Sequence, residues 1–66
     1  MTTDEIRKLQ AYFRRTFGSD LLEVKPRPKK DDSCELYKAD EFLGVVYKDE
    51  DGDYNFSMAI LDVDLD

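Results

Sequence analysis

The chain has 66 residues, of which 39% are charged, and its formal net charge is −6. A chain of this length forms one domain, here residues 1–66, and buries only about 60% of the surface that its unfolded form exposes. Its single cysteine excludes an internal disulfide, and the absence of histidine excludes the usual Cys/His zinc site. No histidine base, nucleophile motif or phosphate loop is present, so the sequence predicts no enzyme, no catalytic residue and no cofactor.

The charge reverses along the chain. Residues 1–30 have eight basic and four acidic side chains, a net of +4, whereas residues 31–66 have two basic and twelve acidic ones, a net of −10. Such polarity can orient a partner or a second copy by long-range attraction. It therefore concerns recognition and not catalysis.

The first element of the chain is predicted to be a helix. Thr2 and Glu5 have the spacing of a capping box, so the helix is expected to begin near Thr3. Gly18 is placed to supply the left-handed residue that ends a helix. The predicted buried stripe, at helical spacing, consists of Ile6, Leu9, Phe13 and Phe17.

The side of this helix opposite the stripe is basic and includes Arg7, Arg14 and Arg15. It can continue onto Lys25, Arg27, Lys29 and Lys30 as a surface suited to phosphate groups or to an acidic protein. The alternative is an ordinary solvated helix face, with some charge neutralised by Asp4. Nucleic acid is not favoured, because the chain is acidic overall and has no RNA-binding motif.

After Gly18 the apolar period becomes two, which predicts a first strand with Leu22 and Val24 on one face. Pro26 and Pro28 both lack an N–H on the same side, so this strand is expected at the sheet edge. A polar turn at 29–33 is predicted to lead into a second strand at 34–38. The only cysteine of the chain, Cys34, begins this strand and is expected to be buried and inert.

Two hairpins complete the predicted sheet. A bend at Ala39 and Asp40 leads into a third strand at 42–48, and a turn containing Gly52 leads into a fourth from Tyr54 to about Leu61. The apolar phase flips near Ile60, which either a β-bulge or a chain leaving the sheet would explain. The predicted fold class is α+β, with one N-terminal amphipathic helix packed on a four-stranded antiparallel β-meander.

The third strand is apolar on both of its faces. If Phe42, Gly44 and Val46 face the helix, the side chains on the open face of the sheet are Tyr37, Val45 and Tyr47. An exposed apolar patch of this kind predicts a partner protein or a homodimer. The alternative is an amphipathic surface on a monomer, which tyrosine also suits.

The acidic segments have simpler interpretations than metal binding. Residues 49–53 resemble a calcium loop, but Tyr47 and Met58 occupy two of the required ligand positions, so a hairpin turn is favoured and no metal site is predicted. The tail acids, Asp62, Asp64 and Asp66, suit solubility or an acidic surface. No signal peptide and no apolar run of about 20 residues is visible, so we expect a cytoplasmic protein without a membrane segment.

Three segments of the chain are distinctive in combination: PRPKKDDSCE (26–35), FLGVVYKDEDGD (42–53) and FSMAILDVDLD (56–66). They resemble a family of short alphaproteobacterial proteins, the domain-of-unknown-function family numbered 3126. The resemblance implies a bacterial cytoplasmic protein. It carries no activity, cofactor or functional residue.

The leading hypothesis is a small protein-interaction module that acts by binding and without catalysis. The candidate interaction surface comprises Arg7, Arg14, Arg15, Lys25, Arg27, Tyr37, Val45 and Tyr47. The alternative is an accessory protein that contacts RNA or a ribonucleoprotein through the basic helix face. Self-association driven by exposed charges should weaken with salt, whereas a salt-insensitive dimer would indicate the apolar sheet face.

Overall fold

The computed structural model describes residues 1–66 and shows one helix followed by one antiparallel sheet. The elements are α1 (Thr3–Phe17), β1 (Leu22–Arg27), β2 (Lys30–Lys38), β3 (Glu41–Lys48), β4 (Tyr54–Ser57) and a 3₁₀ turn at Asp62–Leu65. The strands lie in the order β1-β2-β3-β4, so every connection joins neighbours. This confirms the predicted α+β meander.

The predicted start and end of α1 are both confirmed. The Glu5 N–H donates to Thr2 Oγ1 at 3.1 Å, and the Thr2 N–H donates to Glu5 Oε1 at 3.0 Å, which completes the capping box. Gly18 has a φ of 62°, and its N–H donates to the Arg14 carbonyl. No helix of the structure combines the length and the apolarity needed to cross a membrane.

The core lies between α1 and the first three strands, and it is small. Nine of the 66 residues are buried, and the apolar ones are Leu9, Phe13, Leu22, Val24, Cys34, Leu36 and Val46. Phe17, predicted to be buried, stacks on Phe13 at 5.9 Å but remains 58% exposed. The groove beside it, which Met58 also lines, is open to solvent.

The outer edge of β1 is covered by side chains of α1. The Val24 N–H donates to Gln10 Oε1 at 3.1 Å, and Arg14 Nε donates to the Leu22 carbonyl at 2.8 Å. Pro26, two residues beyond Val24, has no N–H to offer at this edge. The edge position of β1 is confirmed, but Arg14 is half-buried and does not lie on the solvated basic face, because its guanidinium reaches the strand.

The turn between β1 and β2 is tighter than the sequence suggested. Arg27 pairs with Lys30, so only Pro28 and Lys29 form the loop. The strand therefore begins at Lys30 and not at Cys34, and Asp31 to Ser33, predicted as turn, belong to β2. The predicted bend at Ala39 and Asp40 is confirmed, with φ of 49° and 70°, the positive values that a two-residue hairpin turn needs.

A β-bulge in β3 reverses the predicted orientation of Phe42. Leu36 pairs with Gly44 while Tyr37 pairs with Phe42, so Leu43 is the extra residue. Phe42 consequently lies on the open face, where its ring meets that of Tyr37 edge-on at 5.6 Å, and it is 51% exposed. The expectation that Phe42 faces the helix is wrong, whereas Gly44 and Val46 are buried as predicted.

The chain leaves the sheet after Ser57, well before the predicted end of the last strand near Leu61. This decides between the two explanations of the phase flip in favour of departure from the sheet. Departure brings the Ser57 carbonyl against Gly44, where any Cβ would overlap that oxygen and would come within 3.1 Å of the Met58 Cα. Glycine is therefore needed at position 44 because the backbone of Ser57 and Met58 passes close to it, and not because the helix approaches it.

Glu5 links the start of α1 to the last two strands of the sheet, β3 and β4. Lys48 Nζ and Tyr54 Oη each donate to Glu5 Oε2 at 2.7 Å. The Lys48 hydrogen bond, followed by those from the Thr2 backbone and from Tyr54, lowers the pKa of Glu5 from its usual 4.5 to about 2. The carboxylate is thus held ionised by partners from β3 and β4.

This network predicts a pH-dependent contribution to stability. The folded pKa lies below the unfolded one, so the stabilisation is complete above the unfolded value of 4.5 and is lost as the pH falls through the folded value of about 2. At neutral pH, Glu5→Gln should lower the melting temperature, and the difference from the parent should shrink toward pH 2. Glu23→Gln, on an exposed side chain of β1, is the control and should change little. A difference that stays constant with pH would contradict the assignment.

Candidate functional site

The open face of the sheet, opposite α1, brings together Tyr37, Val45 and Tyr47 as predicted. Glu35 pairs with Val45, and Ser33 with Tyr47, which fixes these side chains on one face. The bulge at Leu43 adds Phe42 beside Tyr37. The result is a row of large apolar and aromatic groups that no helix covers.

A groove of about 400 Å³ runs between β3 and the segment that follows β4. We call it the open-face groove, and its main lining residues are Phe42, Val45, Tyr47, Ala59, Leu61 and Asp64. The second wall exists because the chain leaves the sheet at Ser57. Sequence reasoning missed Phe42, Ala59 and Leu61, although the flip of the apolar phase near Ile60 was a signal that the last segment did not continue the strand.

The side chains beside the groove are tied to one another across the strands. Tyr37 Oη donates to Glu35 Oε1 at 3.0 Å, which raises the pKa of Tyr37. Lys25 Nζ lies 4.5 Å from the centre of the Tyr37 ring, a cation–π contact. These contacts hold the Tyr37 ring in place. They also engage the ammonium group of Lys25 with a residue of the same sheet.

The charge in the lining of the groove is acidic. Asp64 is part of its lining, and Asp40 and Glu41 immediately precede Phe42 in the chain. Asp64 is the one charged residue of the lining, and the basic residues of this face, Lys25 and Arg27, lie on β1, two strands away from β3. An apolar ligand with positive charge would therefore suit it better than an anion.

The predicted basic residues lie on two sides of the sheet. Arg7 pairs with Asp4 on the outer side of α1, and the Arg15 guanidinium lies 5.7 Å from the Tyr12 ring. Lys25 lies on the open face, and so does Arg27, whose Nη1 donates to Ser33 Oγ at 3.1 Å. The sheet thus separates the arginines of the helix from Lys25 and Arg27.

The side chains that could bind a metal ion or react, the turn carboxylates and the cysteine, have structural roles or are buried. The Asp49 carboxylate accepts the N–H groups of Asp51 and Asp53 at 2.9 and 3.0 Å, which organises the β3–β4 turn. No three His, Cys, Asp or Glu side chains are grouped so as to hold a metal ion. Cys34 is fully buried, and burial raises the pKa of its thiol, so it is held in its unreactive form. The exposed apolar and aromatic side chains of the open face take no part in these contacts.

Comparison with known proteins identifies the family of the chain. No curated protein and no solved structure matches the chain. A family model described as "Protein of unknown function (DUF3126)" matches residues 5–64, nearly the whole sequence. The chain, with its helix, its four-stranded meander and its open-face groove, therefore belongs to the DUF3126 family.

Proposed function

We propose that the protein is a small interaction module, without catalysis, that binds an apolar and basic segment of a partner protein in the open-face groove. The observation that carries this proposal is the groove itself. Phe42, Tyr47 and Leu61 line it and are all exposed. A domain with so small a buried core would gain stability by burying them, yet the fold leaves them on the surface. A monomer seldom leaves such side chains together on its surface unless they bind something.

The residue types support a protein ligand. Aromatic side chains are enriched at protein interfaces, and Tyr47 and Tyr37 provide large rings with a polar tip. Asp64, the one charged residue in the lining of the groove, favours lysine or arginine on the ligand. Asp64 would repel a phosphate group in the groove. Arg27, Lys29 and Lys30 do meet at the β1–β2 turn, but the sheet separates Arg27 from the arginines of α1, so the predicted continuous basic surface does not form. The RNA alternative is therefore an outcome to be tested and not a second proposal.

The proposal includes a bacterial cytoplasmic setting. A lone buried cysteine without a partner, Cys34, is compatible with a reducing compartment. The family resemblance implies the same setting. Nothing in the proposal requires a cofactor, a metal ion or a membrane.

The test uses a defined probe and two matched variants. Leu61→Ser alters the groove wall, whereas Leu21→Ser alters a side chain of nearly equal exposure, 58% against 59%, that lies outside the groove. The probe is a fluorescent peptide of alternating leucine and lysine, and its control carries glutamate for lysine. Binding is measured by fluorescence anisotropy.

The parent and Leu21→Ser should bind the lysine peptide, Leu61→Ser should bind it at least about tenfold more weakly, which is about 1.4 kcal/mol, and the glutamate peptide should not bind. Equal binding by both variants would refute the groove as the site. Binding of labelled single-stranded RNA, lost steeply with added salt, would instead support the RNA alternative.

A further inference from the structure

The two edges of the sheet are treated differently by the fold. The β1 edge is closed by Gln10, by Arg14 and by the missing N–H of Pro26. The opposite edge is β4, a strand without a charged residue, a proline or a covering side chain. Natural proteins usually blunt an edge strand with such features, because an open edge pairs readily with another strand.

The backbone groups exposed at the β4 edge can be identified from the turn. The Asp49 N–H donates to the Asp53 carbonyl at 2.8 Å, which makes these two residues a hydrogen-bonded pair. Pairs alternate in an antiparallel ladder, so the next hydrogen-bonded pair is Tyr47 with Asn55. The N–H and C=O groups of Tyr54 and Phe56 must therefore point away from β3. No turn, loop or cap supplies a backbone partner for them.

We propose that a second copy of this chain occupies the β4 edge. Two β4 strands pair antiparallel about a two-fold axis at Asn55, which joins the two four-stranded sheets into one continuous sheet. In this register Tyr54 of each copy lies opposite Phe56 of the other. Each such pair exchanges two backbone hydrogen bonds, so every outward N–H and C=O of both residues is satisfied in both copies.

The chemistry of the edge suits a second copy. Residues 54–61 contain no charged side chain, the longest such run in a chain that is 39% charged. Two molecules of net charge −6 can meet here without placing like charges opposite one another. On the α1 side, the Phe56 ring of each copy meets the Tyr54 ring of the other, and aromatic cross-strand pairs of this kind are favourable. Phe17 and Met58, both exposed, flank the joined strands.

The closed β1 edge determines the size of the assembly. A two-fold contact between β4 strands leaves only β1 edges at the two ends of the joined sheet. Those ends cannot accept another strand, so the contact closes at a dimer and does not continue into a fibre. Tyr54 and Phe56 do not line the open-face groove, so the dimer does not depend on the function proposed above.

Two cysteine variants on the same strand and the same face test the pairing. At the axis the two Asn55 Cβ atoms should be about 4.5–5.5 Å apart, close enough for a disulfide with a small adjustment. Ser57 should lie opposite Asp53 of the other copy, which places the two Ser57 residues roughly 14 Å apart. Asn55→Cys should form a covalent dimer with oxidised glutathione, and Ser57→Cys and the parent, whose Cys34 is buried, should not.

Sedimentation equilibrium of the parent at micromolar to millimolar concentration provides a second measurement. We expect a mass of twice 7.7 kDa that added salt does not reduce, because the contact carries no charge and screening relieves the repulsion between the two copies. A dimer through the open sheet face would also resist salt, and the cysteine variants separate the two. A monomer over this range would overturn the proposal. So would equal cross-linking of the two cysteine variants, or a dimer that salt dissociates.

Discussion

Replacing Phe13 with alanine is expected to lower the free energy of unfolding by about 3–5 kcal/mol. Its ring is 4% exposed and packs edge-on against Phe56 at 5.5 Å, so its removal leaves a cavity between α1 and the sheet. A domain this small has little stability to lose, and much of the variant should be unfolded at room temperature. Urea titration followed by circular dichroism measures the change.

Phe17→Ala is the matched control for Phe13→Ala. Both rings lie on α1 and stack on each other, but Phe17 is 58% exposed and buries little surface. Its replacement should therefore cost clearly less than that of Phe13. Equal losses from the two variants would show that α1 packs on the sheet through a different face.

Gly44→Ala is the second variant for which a large effect is expected. Strand propensity alone favours alanine over glycine by roughly 0.5–1 kcal/mol. The added Cβ, however, would overlap the Ser57 carbonyl and lie 2.9 Å from the Phe56 ring. Because the overlap is with backbone, which cannot move aside alone, we expect a net loss of about 1–3 kcal/mol.

The same substitution should damage the open-face groove, since β3 and the segment after Ser57 must separate. Gly18→Ala is the control, because a Cβ there meets nothing within 4 Å although its φ of 62° is unfavourable for alanine. It should cost some stability and leave peptide binding unchanged. If Gly44→Ala were as stable as the parent and bound the lysine peptide equally well, the close passage of Ser57 over β3 would be wrong.

The elements set by neighbouring residues could be predicted from the sequence. The capping box of Thr2 and Glu5 and the left-handed Gly18 depend on hydrogen bonds within one or two turns of α1. The bend at Ala39 and the turn at Gly52 likewise depend on local positive φ. Local signals of this kind act through the backbone of a few residues, so the sequence pattern contains them.

The features set by pairing could not be predicted. Strand alternation predicts the wrong face for Phe42, because a bulge at Leu43 reverses the alternation and only the register with β2 determines where that bulge lies. Arg14 falls on the polar side of a helical wheel, yet its long side chain reaches the Leu22 carbonyl. Both depend on where a second element lies.

The candidate site shows the same division. Tyr37, Val45 and Tyr47 follow from strand alternation, and the structure places them together on the open face. The second groove wall, with Ala59 and Leu61, depends on where the chain leaves the sheet. That departure brings the Ser57 carbonyl against Gly44 on the neighbouring strand, a contact that the alternation of residues along either strand does not contain.

The departure at Ser57 also has a consequence for dynamics. Residues 58–66 have no buried side chain and no strand partner, and their hydrogen bonds, between Leu61 and Asp64, are local. Their amide protons should therefore exchange with solvent through openings that cost little free energy, while those of β2 exchange slowly. Since Ala59, Leu61 and Asp64 form one wall of the groove, a bound ligand must order this segment. Slower deuterium uptake at 58–65 in a mixture of this protein with other molecules, compared with the protein alone, would then show that the groove is occupied, even before the ligand is known.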